Sequence, residues 1–130
     1  MKIAIGTDDK KTIRKGHFCE SRHFLVTEIL NAQIVGQEFR DNSHVEAGKD
    51  NQDRAGRIMD LLKDCAVFMA ESMEEESLVE IRSRNLDCII TDIEEIDTAI
   101  CSYIDGQLEG FKYYDADAKD LIPCSQRKYV

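Results

Sequence analysis

Proline and glycine are scarce in this chain, with one Pro and seven Gly among 130 residues. That scarcity excludes a low-complexity or disordered composition. No apolar run approaches the roughly 20 residues needed to span a bilayer, so no membrane segment is expected. No C-x-x-C occurs, which leaves out a zinc ribbon and a thioredoxin-type motif. The five cysteines are odd in number and irregularly spaced, so they do not compose a disulfide framework. Cations are outnumbered, 17 Lys and Arg against 26 Asp and Glu, for a net charge of −9. Nucleic-acid binding needs a basic face to neutralise phosphates, and none is expected here. There is no P-loop, no Rossmann glycine pattern and no Ser-His-Asp order. The opening Met-Lys-Ile-Ala-Ile-Gly reads as a strand rather than a signal peptide, so a cytoplasmic location is expected.

What is present fits a single domain with a real core, since 42% of residues are apolar. Lys2 to Thr7 reads as a buried strand. A 15-residue loop, Asp8 to Arg22, follows; loops of that length are usually functional. His23 to Leu30 and Gln33 to Arg40 read as strands joined by a tight Asn31-Ala32 turn. A polar loop holding His44 leads to a helix over about Gln52 to Asp64, with Ala55, Ile58, Met59 and Leu62 at helical spacing. Ala66 to Ala70 and Cys88 to Thr91 read as strands covered on both faces. Ser72-Met73-Glu74-Glu75 and Asp92-Ile93-Glu94-Glu95 read as capping patterns, with Ser72 and Asp92 at the N-cap. The second of these opens a helix that Gly106 stops. The order β-β-β-α-β-α-β-α predicts a mixed five-stranded α/β sheet with helices on both faces. Residues 1–109 form that domain. Residues 110–130 read as an extension that docks on the sheet edge or on another subunit.

The least ordinary stretch is Lys15-Gly16-His17-Phe18-Cys19-Glu20-Ser21-Arg22-His23-Phe24. From Lys10 to His23 there are five cations against one acid, Glu20. On an extended segment His17 and Cys19 would point the same way, and the cations Lys15 and Arg22 would favour the thiolate. Both are therefore candidate ligands of a metal centre. His23 is expected to face the sheet or its edge. Cys65, Cys88 and Cys101 adjoin apolar runs and are read as core; Cys124 is left unassigned. Asp8, Asp9 and Asp92 near strand ends suggest metal-assisted phosphodiester cleavage. They do not amount to a clustered set of acids, so no enzyme is expected.

Gly16-His17-Phe18 and Ser21-Arg22-His23-Phe24, together with Thr91-Asp92 and the element order, resemble the dinitrogenase iron–molybdenum cofactor biosynthesis family over roughly residues 1 to 108. The resemblance implies a ribonuclease-H-like fold and non-enzymatic binding or carrying of an iron–sulfur or iron–molybdenum cluster. It implies cofactor-assembly proteins as partners, and a monomer or weak homodimer is expected. His44 and Met73 join His17 and Cys19 as cofactor-binding candidates, Met73 because it matches the methionine of the family's turn. Two departures stand out. Cys19 replaces the glycine of a His-Phe-Gly motif. Glu71-Ser72-Met73-Glu74 replaces a Gly-Gly-Met-Gly turn, and its carboxylates, with Glu75 and Glu76, would repel an anionic cluster. The alternative is a small interaction or regulatory module of the same fold that has lost cofactor binding.

Overall fold

The computed structural model describes residues 1–42, 51–107, 109–115 and 117–124, with only the backbone of 51–53. The strands are β1 (Lys2–Thr7), β2 (His23–Leu30), β3 (Gln33–Asp41), β4 (Val67–Ala70), β5 (Asp87–Thr91), β6 (Phe111–Asp115) and β7 (Asp120–Pro123). The helices are α1 (Asn51–Leu61), α2 (Glu75–Ser83) and α3 (Ile96–Ile104). All seven strands join one sheet in the order β3-β2-β1-β4-β5-β6-β7. The parallel pairs are β1 with β4 and β4 with β5; the other neighbours run antiparallel.

The expected mixed α/β architecture is present, but among the described residues the sheet has seven strands, not five. The two extra strands come from the segment read as an extension, which extends the sheet beyond β5. Strand β6 pairs Phe111 with Thr91 and Tyr113 with Ile89. Its sequence signal is weak because only Phe111 is buried; the unfilled edge of β5 supplies the rest of its reason to be a strand.

Alternation along the central strands divides the core. Ile3, Ile5, Val67, Met69 and Ile89 face Ile96, Ala99 and Ile100 of α3. Ala4, Phe68, Ala70 and Cys88 face Ile58, Met59 and Leu62 at α1 and Ile81 of α2. Helices therefore cover both faces, α3 on one and the α1–α2 pair on the other. Neither expected capping box forms. The N-cap positions are Glu74 and Glu95, and neither side chain caps its helix. Ser72 and Asp92 lie upstream because the long loop after β1 takes up both turns: Phe18 N–H donates to Ser72 O at 3.1 Å and Ile96 N–H to Lys11 O at 3.1 Å. Among the described residues no helix is long and apolar enough to cross a membrane.

The β2–β3 turn is as expected, with Asn31 and Ala32 at φ 52° and 60°, the left-handed pair that a two-residue primed turn requires. Alanine pays a steric penalty there of about 1–2 kcal/mol. Ala32→Gly should therefore stabilise the protein by roughly 0.5–1 kcal/mol, the relief being partly offset by greater freedom of the unfolded chain; urea unfolding measures it.

Arg40 ties β3 to the end of α1. Its guanidinium donates to Leu61 O at 3.0 Å and to both oxygens of Asp64 at 2.6 and 2.7 Å. Arg40 holds the Asp64 carboxyl well below the usual carboxylate range. A carboxyl depressed on folding stabilises above its unfolded pKa, near 3.9, and that contribution fades as pH falls through the acid range. Arg40→Ala should cost about 1–2 kcal/mol at neutral pH, discounted for partial exposure, and should flatten the acid side of the stability–pH curve.

Candidate functional site

The 15 residues between β1 and β2 are tightly held. Thr7 Oγ1 donates to Thr12 O at 2.6 Å, and Asp9 Oδ1 accepts from the Lys11 and Thr12 amides at 2.9 and 2.7 Å. Those amides hold the Asp9 carboxyl far below its ordinary range. Asp8 pairs with Arg14 and accepts from the Arg22 amide at 3.0 Å. Both aspartates considered for metal-assisted cleavage thus use their carboxylates to shape this loop. The third, Asp92, is exposed.

Beyond Lys15 the chain turns through Gly16 at φ +116°, a conformation that favours glycine. Residues Phe18–Glu20 form one 3-10 turn, not the extended segment expected. Phe18 is buried against Phe24, ring centroids 4.9 Å apart, and edge-on against Phe68 at 5.9 Å. Buried Asn42 completes the fastening, its amide donating to Cys19 O at 2.9 Å and Ser21 O at 2.8 Å.

His17 and Cys19 line one cavity of about 190 Å³ together with Arg54, Glu74, Glu76 and Ser77. The cavity lies where the loop after β1 meets α2. His17 is exposed. Cys19 is not the thiolate that its cationic neighbours suggested. It is 2% exposed, and burial first, then the Glu74 carboxylate, push its thiol up to about 12. Its sulfur lies 3.0 Å from Ser77 Oγ. The expected cationic help goes elsewhere, Lys15 pairing with Glu94 at 3.2 Å and Arg22 pointing to solvent.

The loop is bound to the turn after β4. Glu71 Oε2 accepts from the Gly16 amide at 2.6 Å. Glu74 accepts from the Cys19 amide at 3.0 and 3.3 Å. Glu71 and Glu74, expected to repel an anionic cluster, turn their carboxylates to the loop amides. Met73 is half-buried against the α1–α2 side of the core and lines a different cavity, with Tyr114 and Leu121. His44 lies outside the described residues. His23 opens β2 inside the sheet, between Thr7 of β1 and Asp41 of β3, its Nδ1 2.7 Å from Asp41 Oδ1. Among the described residues no three His, Cys, Asp or Glu side chains are grouped to hold a metal ion.

Of the cysteines read as core, Cys65 and Cys88 are buried, with thiols pushed up to about 12, chiefly by burial. Cys101 is exposed, a correction that helical geometry explains. Ile96, Ala99 and Ile100 define the buried stripe of α3, and the next position turns away from it. Cys124 is buried beside the α3 face of the sheet.

The fold is a mixed α/β sheet with a loop-and-turn cavity at the carboxyl ends of its parallel strands, the end at which open α/β sheets take their ligands. The sequence profile of the family described as dinitrogenase iron–molybdenum cofactor matches residues 1–106, and the chain belongs to that family. The family is involved in iron–molybdenum cofactor biosynthesis. The fold is similar to that of a candidate dinitrogenase of Methanocaldococcus jannaschii, at 20% identity and a TM-score of 0.62, covering 82% of this chain and 90% of that one. A candidate NifB protein of Thermotoga is also similar, at 13% identity and a TM-score of 0.60, covering 82% and 89%. No curated protein matches.

With an aromatic thiol reagent near pH 8, the native protein should label Cys101 quickly. Cys19, Cys65 and Cys88 should react slower by roughly two orders of magnitude or more, as expected of protonated, buried thiols. Cys101→Ser should remove the fast phase.

Proposed function

We propose that this chain is a non-enzymatic domain that holds an iron–molybdenum or iron–sulfur type cluster as cargo during cofactor assembly, on the first five strands of a ribonuclease-H-like sheet. The observation that carries this reading is His17, an exposed imidazole at the mouth of the cavity between the loop after β1 and α2, in a member of the iron–molybdenum cofactor family. Neutral imidazole is a good monodentate metal ligand. The Cys19 thiol fits a cluster poorly as it stands, because metal ligation needs the thiolate and burial opposes it. His17 is therefore the leading ligand and Cys19 part of the wall. Partners are assembly proteins that deliver or collect the cargo, and the setting is cytoplasmic.

A second reading has its own support. The carboxylates of Glu71 and Glu74 already occupy two loop amides. That favours a regulatory or interaction module of the same fold that has given up the cofactor.

Anaerobic reconstitution with iron and sulfide separates the two. The carrier reading expects visible charge-transfer absorption in the wild type, lost in His17→Ala and kept in Cys19→Ser. Absorption that survives His17→Ala removes the assigned ligand. A wild type without such absorption leaves the second reading standing.

A further inference from the structure

We infer that β3 is a docking edge for a second copy of this chain. The two β3 strands pair antiparallel about a two-fold axis at Phe39 and join the two sheets into one.

Strand β3 ends the sheet, and among the described residues no strand lies beyond it. It is nine residues long, against four for β7 at the opposite edge. Natural edges are blunted by brevity, by proline or by a covering element. Strand β7 is short and ends in Pro123; β3 is long and contains no proline. Every residue of β3 except Arg40 is exposed, Ile34, Val35 and Phe39 among them.

The phase of the ladder fixes what this edge offers. Ile29 N–H donates to Met1 O at 2.8 Å, and Asn42 N–H to Arg22 O at 2.9 Å. Backbone groups alternate in direction along a strand. Thr27 and Leu25 therefore turn theirs to β1, while Val26 and Phe24 turn theirs to Glu38 and Arg40 of β3. It follows that Gln37, Phe39 and Asp41 direct their N–H and C=O groups away from the sheet. Such a row takes an added strand by main-chain hydrogen bonds.

Side chains decide whose strand it takes. Each chain carries −9, so two copies repel unless the charges that face each other match. An axis at Glu38 sets two carboxylates opposite each other, which is destabilising. An axis at Gln37 sets Arg40 opposite Ile34 and Glu38 opposite Gly36. An axis at Phe39 sets Phe39 opposite Phe39, Glu38 of each copy opposite Arg40 of the other, and Gln37 opposite Asp41. Glu38 and Arg40 already bond within one strand, at 2.6 and 3.0 Å, so the two copies close a ring of alternating charge on one face of the sheet. On the other face the Phe39 ring, 43% exposed and with Lys10 Nζ 5.3 Å over it, supplies an apolar pair. A two-fold interface requires self-complementarity of this kind.

Sedimentation equilibrium of the full chain, at concentrations up to about 1 mM, detects pairing with a Kd as weak as about 1 mM. Wild type should pass reversibly from monomer to dimer as concentration rises. Phe39→Lys opposes two ammonium groups at the axis and should weaken the dimer by roughly tenfold or more. Should that variant fail to fold, Glu38→Arg sets a cation opposite Arg40 of the other copy and is judged by the same constant. Crosslinking reads the register. A hydrogen-bonded antiparallel pair has Cα atoms about 5.5 Å apart, within reach of a disulfide. With Cys101→Ser in the background, Phe39→Cys should give a covalent dimer on mild oxidation, and Leu121→Cys on the opposite edge should not. A wild type monomeric at every concentration would overturn the inference. So would a dimer that the charge variant leaves as tight, or a Phe39→Cys that crosslinks no faster than Leu121→Cys.

Discussion

Insertion of Phe18 between Phe24 and Phe68 is the contact on which the rest of the site depends. A 15-residue loop has a large closure cost in entropy, and one buried aromatic contributes more than any hydrogen bond along it. Gly6 makes the insertion possible. A Cβ at that position would lie 2.2 Å from Ser21 Oγ and 3.3 Å from Phe18 Cδ2, so the loop folds over β1 where a side chain is missing. With Phe18 seated, its two neighbours are set apart: His17 faces solvent and Cys19 is drawn under cover.

Electrostatics completes what packing begins. The positive stretch from Lys10 to Arg22 does not present a bare cationic surface. Arg14 is paired with Asp8 and with Glu20, Lys15 with Glu94, and Lys10 lies over the Phe39 ring at 5.3 Å. Even the loop amides meet carboxylates. The segment is an island of positive charge in sequence and a neutralised seam in space, because an acidic chain has carboxylates to bring to it from the turns after β4 and β5. A neutral thiol is the natural state in such a seam, and the His17 imidazole stands exposed at its rim.

Family membership and fold point to cofactor assembly, and the local chemistry narrows what can happen in this chain. A turn rich in glycine would leave loop amides open. A turn carrying Glu71 and Glu74 fills them.

Much of the scaffold was legible in the residues alone, since its signals are local. Alternation through Ile3, Ala4 and Ile5, the Asn31-Ala32 turn, the helical spacing at Ala55, Ile58 and Met59, and the stop at Gly106 each act within a few residues, and each matches an observed element. The outward position of Cys101 was readable too, from the stripe at Ile96, Ala99 and Ile100. The site was less so. Nothing near Cys19 in sequence indicates that Ser77 and Glu74 will be its neighbours, at separations of 58 and 55 residues. Strand β6 is a strand because β5 offers an open edge. The expected caps at Ser72 and Asp92 lost to main-chain bonds from a distant loop. The sequence by itself determined the elements from β1 to α3 and their order, through periodicity and turn chemistry. Only the tertiary structure decided the charge state of the thiol and the partners of the loop amides, because burial and long-range hydrogen bonds exist only once the sheet has brought those segments together.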